Sequence, residues 1–394
     1  IILTSYTPAQ AFEAVDWNVI AILLGMWLIT AYLTEAGFAE ATIAALTRYT
    51  KNASTLIALL ALTAGFVSIF VDNVLVILLF GSLVIKISKA AGFDPLPAIL
   101  LVGFSANFMG TAMLMGDLPP QLLHSVAGLE FMDFIWLDGK PSSFPLLTVT
   151  FIVVTVLYTR FVTRKWPRAD VDLGRELGRV NKPLLAISLA FFVATVVGMA
   201  LRPRLGVPLG FITMVGATAL ALTVEVLRRR MPSFPSFEKV ISSIEWRALL
   251  FYAALFSLVG GLESSGVIER AAELLLPYVG SSLPIAYTVL YWGVAALALV
   301  VEHDALLLTF LYLVRDAAWL AGVEPLPIYL AMAWSATLAS NATTSAAPAL
   351  YVAVTMAEKE RRKVSPREFL KYSLPYVAMS LALQYAISLP IWGI

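Results

Sequence analysis

Long apolar runs dominate this chain, and no other feature restricts its fold as much. Stretches near residues 17–35, 97–127, 142–160, 183–201, 206–227, 247–263, 325–350 and 372–393 reach or approach the roughly 20 apolar residues that a bilayer crossing needs. Composition agrees: of 394 residues only 13% are charged, against roughly 25% in a soluble domain, and the mean hydropathy is +0.85. The expected fold class is an all-α polytopic protein, multi-pass in the cell (plasma) membrane with the lipid bilayer as its surroundings. A net charge of +1 gives no reason to expect nucleic acid as a partner. The lack of cysteine excludes disulfides and thiolate metal sites, and the two histidines, His124 and His303, are too few for a His-rich centre. No catalytic or nucleotide-binding motif is present, so the expectation is a non-enzyme without a cofactor.

Two further apolar stretches are broken in the middle by polar residues. Residues 53–90 are interrupted at Val71-Asp72-Asn73, and residues 283–320 at Glu302-His303-Asp304. Both read as helix, polar tip, helix. Backbone freed at such a break must be satisfied by protein or cavity water, which points to re-entrant hairpins or discontinuous helices and places a transport site near them.

Basic residues set the orientation. They crowd the 160–182 loop, with Arg164, Lys165 and Arg168, the 228–247 loop, led by Arg228-Arg229-Arg230, and the 359–371 loop, with Arg361-Arg362-Lys363. Arg48, Lys51, Lys86 and Lys89 flank the first interrupted stretch, so 22 of the 27 Lys and Arg share one side if that hairpin enters from the cytoplasm. Lys140, Arg202, Arg204, Arg270 and Arg315 remain for the other side. The second interrupted stretch then enters from outside.

A shift of 230 positions aligns the two broken stretches without a gap. Ala91-Gly92-Phe93-Asp94-Pro95-Leu96-Pro97 falls on Ala321-Gly322-Val323-Glu324-Pro325-Leu326-Pro327, and Asp72-Asn73 falls on Glu302-His303. At an offset of 229, Asp16-Trp17 matches Glu245-Trp246. Opposite orientations make this an inverted-topology repeat, with the site expected at mid-membrane between the copies. The division is 1–160 for the first repeat, with hairpin 53–90 and broken helix 97–127. A cytoplasmic linker follows at 161–182, then the second repeat at 183–394, with hairpin 283–320 and broken helix 325–350. The second copy has two leading helices where the first has only Ile1 to Val15, so further scaffold upstream of residue 1 is expected.

Val71-Asp72-Asn73-Val74 and the run Ser105-Ala106-Asn107-Phe108-Met109-Gly110-Thr111 to Gly116-Asp117-Leu118-Pro119-Pro120, followed by Ser125 to Phe134, carry a family likeness. The chain resembles the arsenite permease, NhaD-type sodium/proton antiporter and P-protein branch of the ion transporter superfamily, which is related to divalent anion:sodium symporters and citrate transporters. Ser340-Asn341-Ala342-Thr343-Thr344 is similar to the Ser-Asn-Thr signature of the related carboxylate transporters. The resemblance implies a scaffold domain, a transport domain of two hairpins and two unwound helices, elevator-type alternating access, and a homodimer. The sequence departs from the pattern at Met109-Gly110, at Gly116-Asp117-Leu118-Pro119-Pro120-Gln121 and at Glu302-His303-Asp304.

An intramembrane carboxylate costs roughly 2.5 to 3.5 kcal/mol and is a functional-site hypothesis by default. Asp72 and Glu302, with Asn73, His303 and Asp304, are the candidates for ion or proton coupling; the alternative for the carboxylates is a structural helix cap. Asn107, Gly110, Thr111, Gly116 and Asp117 form the candidate unwound stretch of the first crossing helix. Ser335, Ser340, Asn341, Thr343, Thr344 and Ser345 form its counterpart. Their oxygens are hard ligands, with sodium expected at Asn73, Thr111, Asn341 and Thr344. Four acidic residues and no Lys or Arg in this set favour a cation or a neutral hydroxide over a bare dianion. The expected function is secondary active transport of a small inorganic ion coupled to protons or sodium, first as sodium/proton antiport. The alternatives are a permease for arsenite or another anion or carboxylate, and, in other classes, a passive ion channel or an intramembrane hydrolase. Trp17, Trp136, Trp246 and Trp392, near span ends, are expected as interfacial anchors.

Overall fold

The computed structural model describes residues 6–46, 49–50, 52–163, 180–360 and 363–394. Arg48, Lys51, Arg164, Lys165, Arg168, Arg361 and Arg362, and most of the 161–182 linker, lie outside them. The described chain is almost wholly helical. Its first elements are α1 (Pro8–Glu13), α2 (Trp17–Glu35), α3 (Phe38–Leu46), α4 (Ala53–Ser68), α5 (Asn73–Ala91), α6 (Pro95–Gly110) and α7 (Leu118–Ala127). A 3-10 turn (Phe131–Phe134) and a two-stranded hairpin, β1 (Trp136–Leu137) with β2 (Lys140–Pro141), come before α8 (Ser143–Thr163). Next are α9 (Lys182–Ala200), α10 (Arg202–Leu205), α11 (Leu209–Arg228), α12 (Phe237–Ile241), α13 (Trp246–Ser264) and α14 (Val267–Val279). The last are α15 (Leu283–Ala298), α16 (His303–Ala321), α17 (Leu326–Ser340), α18 (Pro348–Glu358) and α19 (Pro366–Trp392). Seven of the described helices, α2, α5, α8, α9, α11, α13 and α19, are long and apolar enough to cross a membrane.

Both broken stretches are helical hairpins built to one plan. The limbs α4 and α15 have 16 residues each, and α5 and α16 have 19 each. Each second limb ends on a glycine in the left-handed region, Gly92 at φ 72° and Gly322 at φ 66°. There a side chain would be strained, and glycine lets the chain turn directly into the next helix. Those next helices, α6 and α17, are buried at every residue from Leu96 to Gly110 and from Ile328 to Ser340. A helix apolar on all sides belongs in the middle of a bundle. Phe104 stacks on Tyr376 with ring centroids 5.0 Å apart, and Tyr158 meets Tyr376 edge-on at 5.2 Å. These rings bind α6 to α8 and α19.

A second group, α2, α9 and α11, packs at one side. The amide of Gly210 donates to Asn18 Oδ1 at 2.8 Å, and the Thr213 hydroxyl donates to the Ala21 carbonyl at 3.1 Å. The outer helices instead expose apolar side chains such as Val149, Ile152, Val153, Phe211 and Leu222, as a lipid-facing surface requires.

Ion pairs at the helix ends join loops that the basic-residue count puts on one side: Lys89 with Glu360 and Lys239 with Glu35. Arg202 pairs with Glu130, and Arg315 with Glu263, among the loops assigned to the opposite side.

Three features differ from the sequence reading. The helix α14 was not among the expected spans, because its 13 residues carry Glu269, Arg270 and Glu273. The β hairpin turns on Asp138-Gly139, both at positive φ, the tight-turn pair that suits two short antiparallel strands. Trp392 is not an interfacial anchor: it is 2% exposed and donates through Nε1 to the Pro141 carbonyl at 2.9 Å, whereas Trp17, Trp136 and Trp246 are exposed.

Candidate functional site

Each hairpin tip is held by a carboxylate that caps its second limb. Asp72 Oδ1 accepts from the amides of Val74 at 2.9 Å and Leu75 at 3.3 Å. Glu302 accepts from the amides of Asp304 at 3.1 Å and Ala305 at 2.8 Å. An acidic cap satisfies orphan amides and sits against the positive end of the helix dipole. The structural role weighed for these two residues is therefore present in full, and both also face the cavity described below.

Each tip docks on a break between two helices. The first break spans residues 111–117, between α6 and α7, and is closed by a glycine with no space to spare. A Cβ on Gly116 would lie 2.3 Å from the Gly110 carbonyl oxygen and 2.7 Å from that of Ser68 at the end of α4. Asn73 then reaches across, donating through Nδ2 to Asp117 Oδ2 at 3.0 Å and Asn107 Oδ1 at 3.2 Å. The second break spans 341–347, between α17 and α18. Thr343 donates to the Leu299 carbonyl and Ser345 to that of Val300, both at the end of α15. His303 donates to the Ala346 carbonyl with its backbone amide and with Nδ1, the latter at 3.0 Å.

The two halves meet at Asn107, which is fully buried. Its Nδ2 reaches Ser340 Oγ at 2.9 Å, Asn341 Oδ1 at 3.2 Å and the Thr337 carbonyl at 3.3 Å. Beside it, the Thr111 and Thr337 hydroxyls are 2.7 Å apart. A continuous polar chain thus runs from Asp117 through Asn73 and Asn107 to Asn341.

A cavity of about 590 Å³ opens against this chain, within the 300 to 1,000 Å³ typical of small-molecule sites. Of the sequence candidates, Asp72, Asn73, Asn107, Asp117, Glu302, His303 and Asp304 line it. Gly110, Thr111, Gly116, Ser340 and Asn341 lie behind it in the packing of the breaks. Ser335 is buried inside α17 and bonds the Met332 carbonyl, away from the cavity. Thr343 and Ser345 fasten the second tip, and Thr344 is half-buried between them.

Sequence reasoning missed the far wall. Glu245, Arg247, Ala248, Phe251 and Tyr252 at the start of α13 line the cavity, as do Ala347 to Ala349, Tyr351 and Val352 of α18 and its approach. The repeat alignment had matched Glu245-Trp246 to Asp16-Trp17, which was the available signal. Arg247 corrects the charge inventory: a guanidinium does line the cavity, from an exposed position at its mouth. Inside, Asp72, Asp117 and Asp304 are 9%, 5% and 3% exposed, and His303 is the single basic side chain among them.

With that geometry in hand, the profile of the citrate transporter family, CitMHS, matches residues 1–335. The chain belongs to this family. A protein of Mycobacterium tuberculosis (strain ATCC 25618 / H37Rv) named Uncharacterized transporter Rv2684 is 27% identical over 390 residues, covering 97% of this chain and 88% of that one. Magnetosome protein MamN of Magnetospirillum gryphiswaldense is 27% identical over 307 residues, covering 75% of this chain and 67% of its own length. The crystal structure of the Alcanivorax borkumensis YdaH transporter shares the fold, with a TM-score of 0.62 at 16% identity over 96% of this chain and 85% of that one. This member of the citrate transporter family is thus a multi-pass membrane transporter, as the superfamily resemblance implied.

Proposed function

We propose that this transporter exchanges a small cation for protons, with sodium/proton antiport as its form, and that its two halves are inverted repeats working by an elevator motion, in a homodimer. The observation that carries the cation reading is the cavity wall: Asp72, Asp117, Glu302 and Asp304 face one space in which, among the described residues, His303 is the single buried basic side chain. Such a wall attracts cations, and carboxylates held at a dry mid-membrane site alternate between a proton and a metal ion. Asn73 and Asn107 line the same space and carry neutral amide oxygens, the kind of hard ligand sodium takes. The cavity mouth lies at the start of α13, next to the basic 228–247 loop, which corresponds to an inward-open state.

A second reading has one observation in its favour. The cavity is larger than a bare cation requires and has Arg247 at its mouth, so a carboxylate such as the one in the family's name fits by volume. It would enter with its charge offset by protons or cations, given the acidic wall. Neutral arsenous acid meets no such charge conflict.

The reconstituted protein, in liposomes holding an internal pH dye, separates these readings. Saturable proton movement on adding sodium or lithium, lost in Asp117→Asn, supports antiport. Silence with both cations and a response to citrate or arsenite moves the protein to the permease reading.

A further inference from the structure

A second hollow, of about 470 Å³, lies between α2, α11 and the junction of α12 with α13. Leu24 and Leu28 of α2 and Met214, Ala221 and Leu222 of α11 line its length, and Ile241 and Trp246 join them from the junction. It opens on the lipid-facing surface, since Leu222 is 63% exposed and Trp246 is 44% exposed. A concave apolar groove on such a surface is shaped for a ligand and not for bulk solvent. From Met214 to Glu225, both in its lining, α11 rises about 16 Å at 1.5 Å per residue. That is about half of the roughly 30 Å hydrocarbon core, the depth that one acyl chain of one leaflet reaches.

Charges of both signs stand at one end of this groove. Glu225 and Glu238 line it, and Glu225 also lines an adjoining hollow of about 240 Å³ with Arg228, Arg229 and Pro232. Glu225 and Arg228 pair with each other at 3.0 Å. Glu238 and Arg229 are exposed and take part in no ion pair among the described residues. We propose that the groove holds one phosphatidylethanolamine molecule, with an acyl chain against α2 and α11, its phosphate on Arg229 and its ammonium on Glu238. A guanidinium binds a phosphate through paired N–H groups, and an ammonium donates three hydrogens that a carboxylate accepts. Two carboxylates and two guanidiniums sum to zero, as this headgroup does. An anionic headgroup leaves Glu238 unmatched, and a choline headgroup has no N–H to give it. Trp246 sits at the headgroup level, as tryptophan does at a membrane interface. Its chain neighbours Glu245 and Arg247 line the transport cavity, so lipid and cavity share one short segment of wall. The site rests on the groove's geometry and is independent of which species the protein carries.

The test uses the full chain, purified in detergent and stripped of lipid. It is offered equal amounts of phosphatidylethanolamine, phosphatidylglycerol and phosphatidylcholine with matched acyl chains, and bound lipid is counted by native mass spectrometry. One phosphatidylethanolamine per chain is expected, retained about tenfold better than either of the others, the size of one hydrogen bond to a charged group. Glu238→Gln and Arg229→Gln, at exposed positions where folding is not at stake, should each remove that preference. Equal retention of the three lipids, a preference for phosphatidylglycerol, or an unchanged preference in both variants overturns the proposal. So does a lipid-free dimer that Leu222→Arg separates, which assigns the groove to a second copy of the chain.

Discussion

The two hairpin tips share a frame and differ in chemistry. Both begin their second limb on a capping carboxylate, both dock on a broken helix, and both hairpins end on a left-handed glycine. The first tip then places Asn73, whose Nδ2 donates to both Asp117 and Asn107. The second places His303 and Asp304, whose Nε2 and Oδ1 face each other at 3.5 Å, within ion-pair reach but outside a hydrogen bond. Both caps hold the fold and face the cavity, while the one or two residues after each cap give its tip a chemistry of its own.

The largest effect in breaking this comparison is expected from Gly116→Ala. Its methyl cannot fit 2.3 Å from the Gly110 carbonyl, so the first tip must leave its break. Overpacking of this kind costs about 1 to 3 kcal/mol, and flux in liposomes should vanish together with a lower thermal midpoint. Next comes Asn107→Ala, which removes one of the links between the halves and leaves Asn341 Oδ1 without its partner. Leaving buried polar groups unpaired costs about 1 to 3 kcal/mol, visible in thermal unfolding, with flux strongly reduced.

Smaller, and sharper, is a pair of substitutions at the first cap. Asp72→Asn keeps a capping side chain, so stability in thermal unfolding should be nearly unchanged while sodium-driven proton movement falls. Asp72→Ala should lose the cap as well, at about 1 kcal/mol. Equal transport by both variants and the wild type would reduce Asp72 to a cap alone. The smallest effect belongs to Glu360→Gln, which breaks the exposed pair with Lys89. A surface ion pair contributes about 0 to 1 kcal/mol, so both stability and flux should stay close to wild type.

The parts of this architecture legible in the sequence are those written in local chemistry. A polar break inside an apolar run marks a tip, and the 230-residue offset pairs Gly92 with Gly322 and Asp72 with Glu302, each in the same backbone role. Helix starts at Trp17 and Trp246 follow from the same reasoning. What was not legible depends on how helices meet. The partners of Asn107 come from α17, 230 to 234 residues away, and hydropathy does not specify which face of one buried helix turns toward another. Ser335 carried the right composition but points along its own helix. Arg247 and Tyr252 reach the cavity because α13 borders the same space as both tips, which no property of residues 246–264 announces. The helix α14 escaped because charges on one face lower its mean hydropathy while Ile268, Ala272 and Val279 are buried on the other.

The most direct test of the cation/proton account is sodium-driven proton movement in proteoliposomes, compared between wild type, Asp117→Asn and Asp304→Asn at matched protein density. The account predicts saturable dye response to sodium in the wild type and its loss in both variants, with each variant still folded by thermal unfolding. An undiminished response in both, or none to sodium or lithium in the wild type, would contradict it.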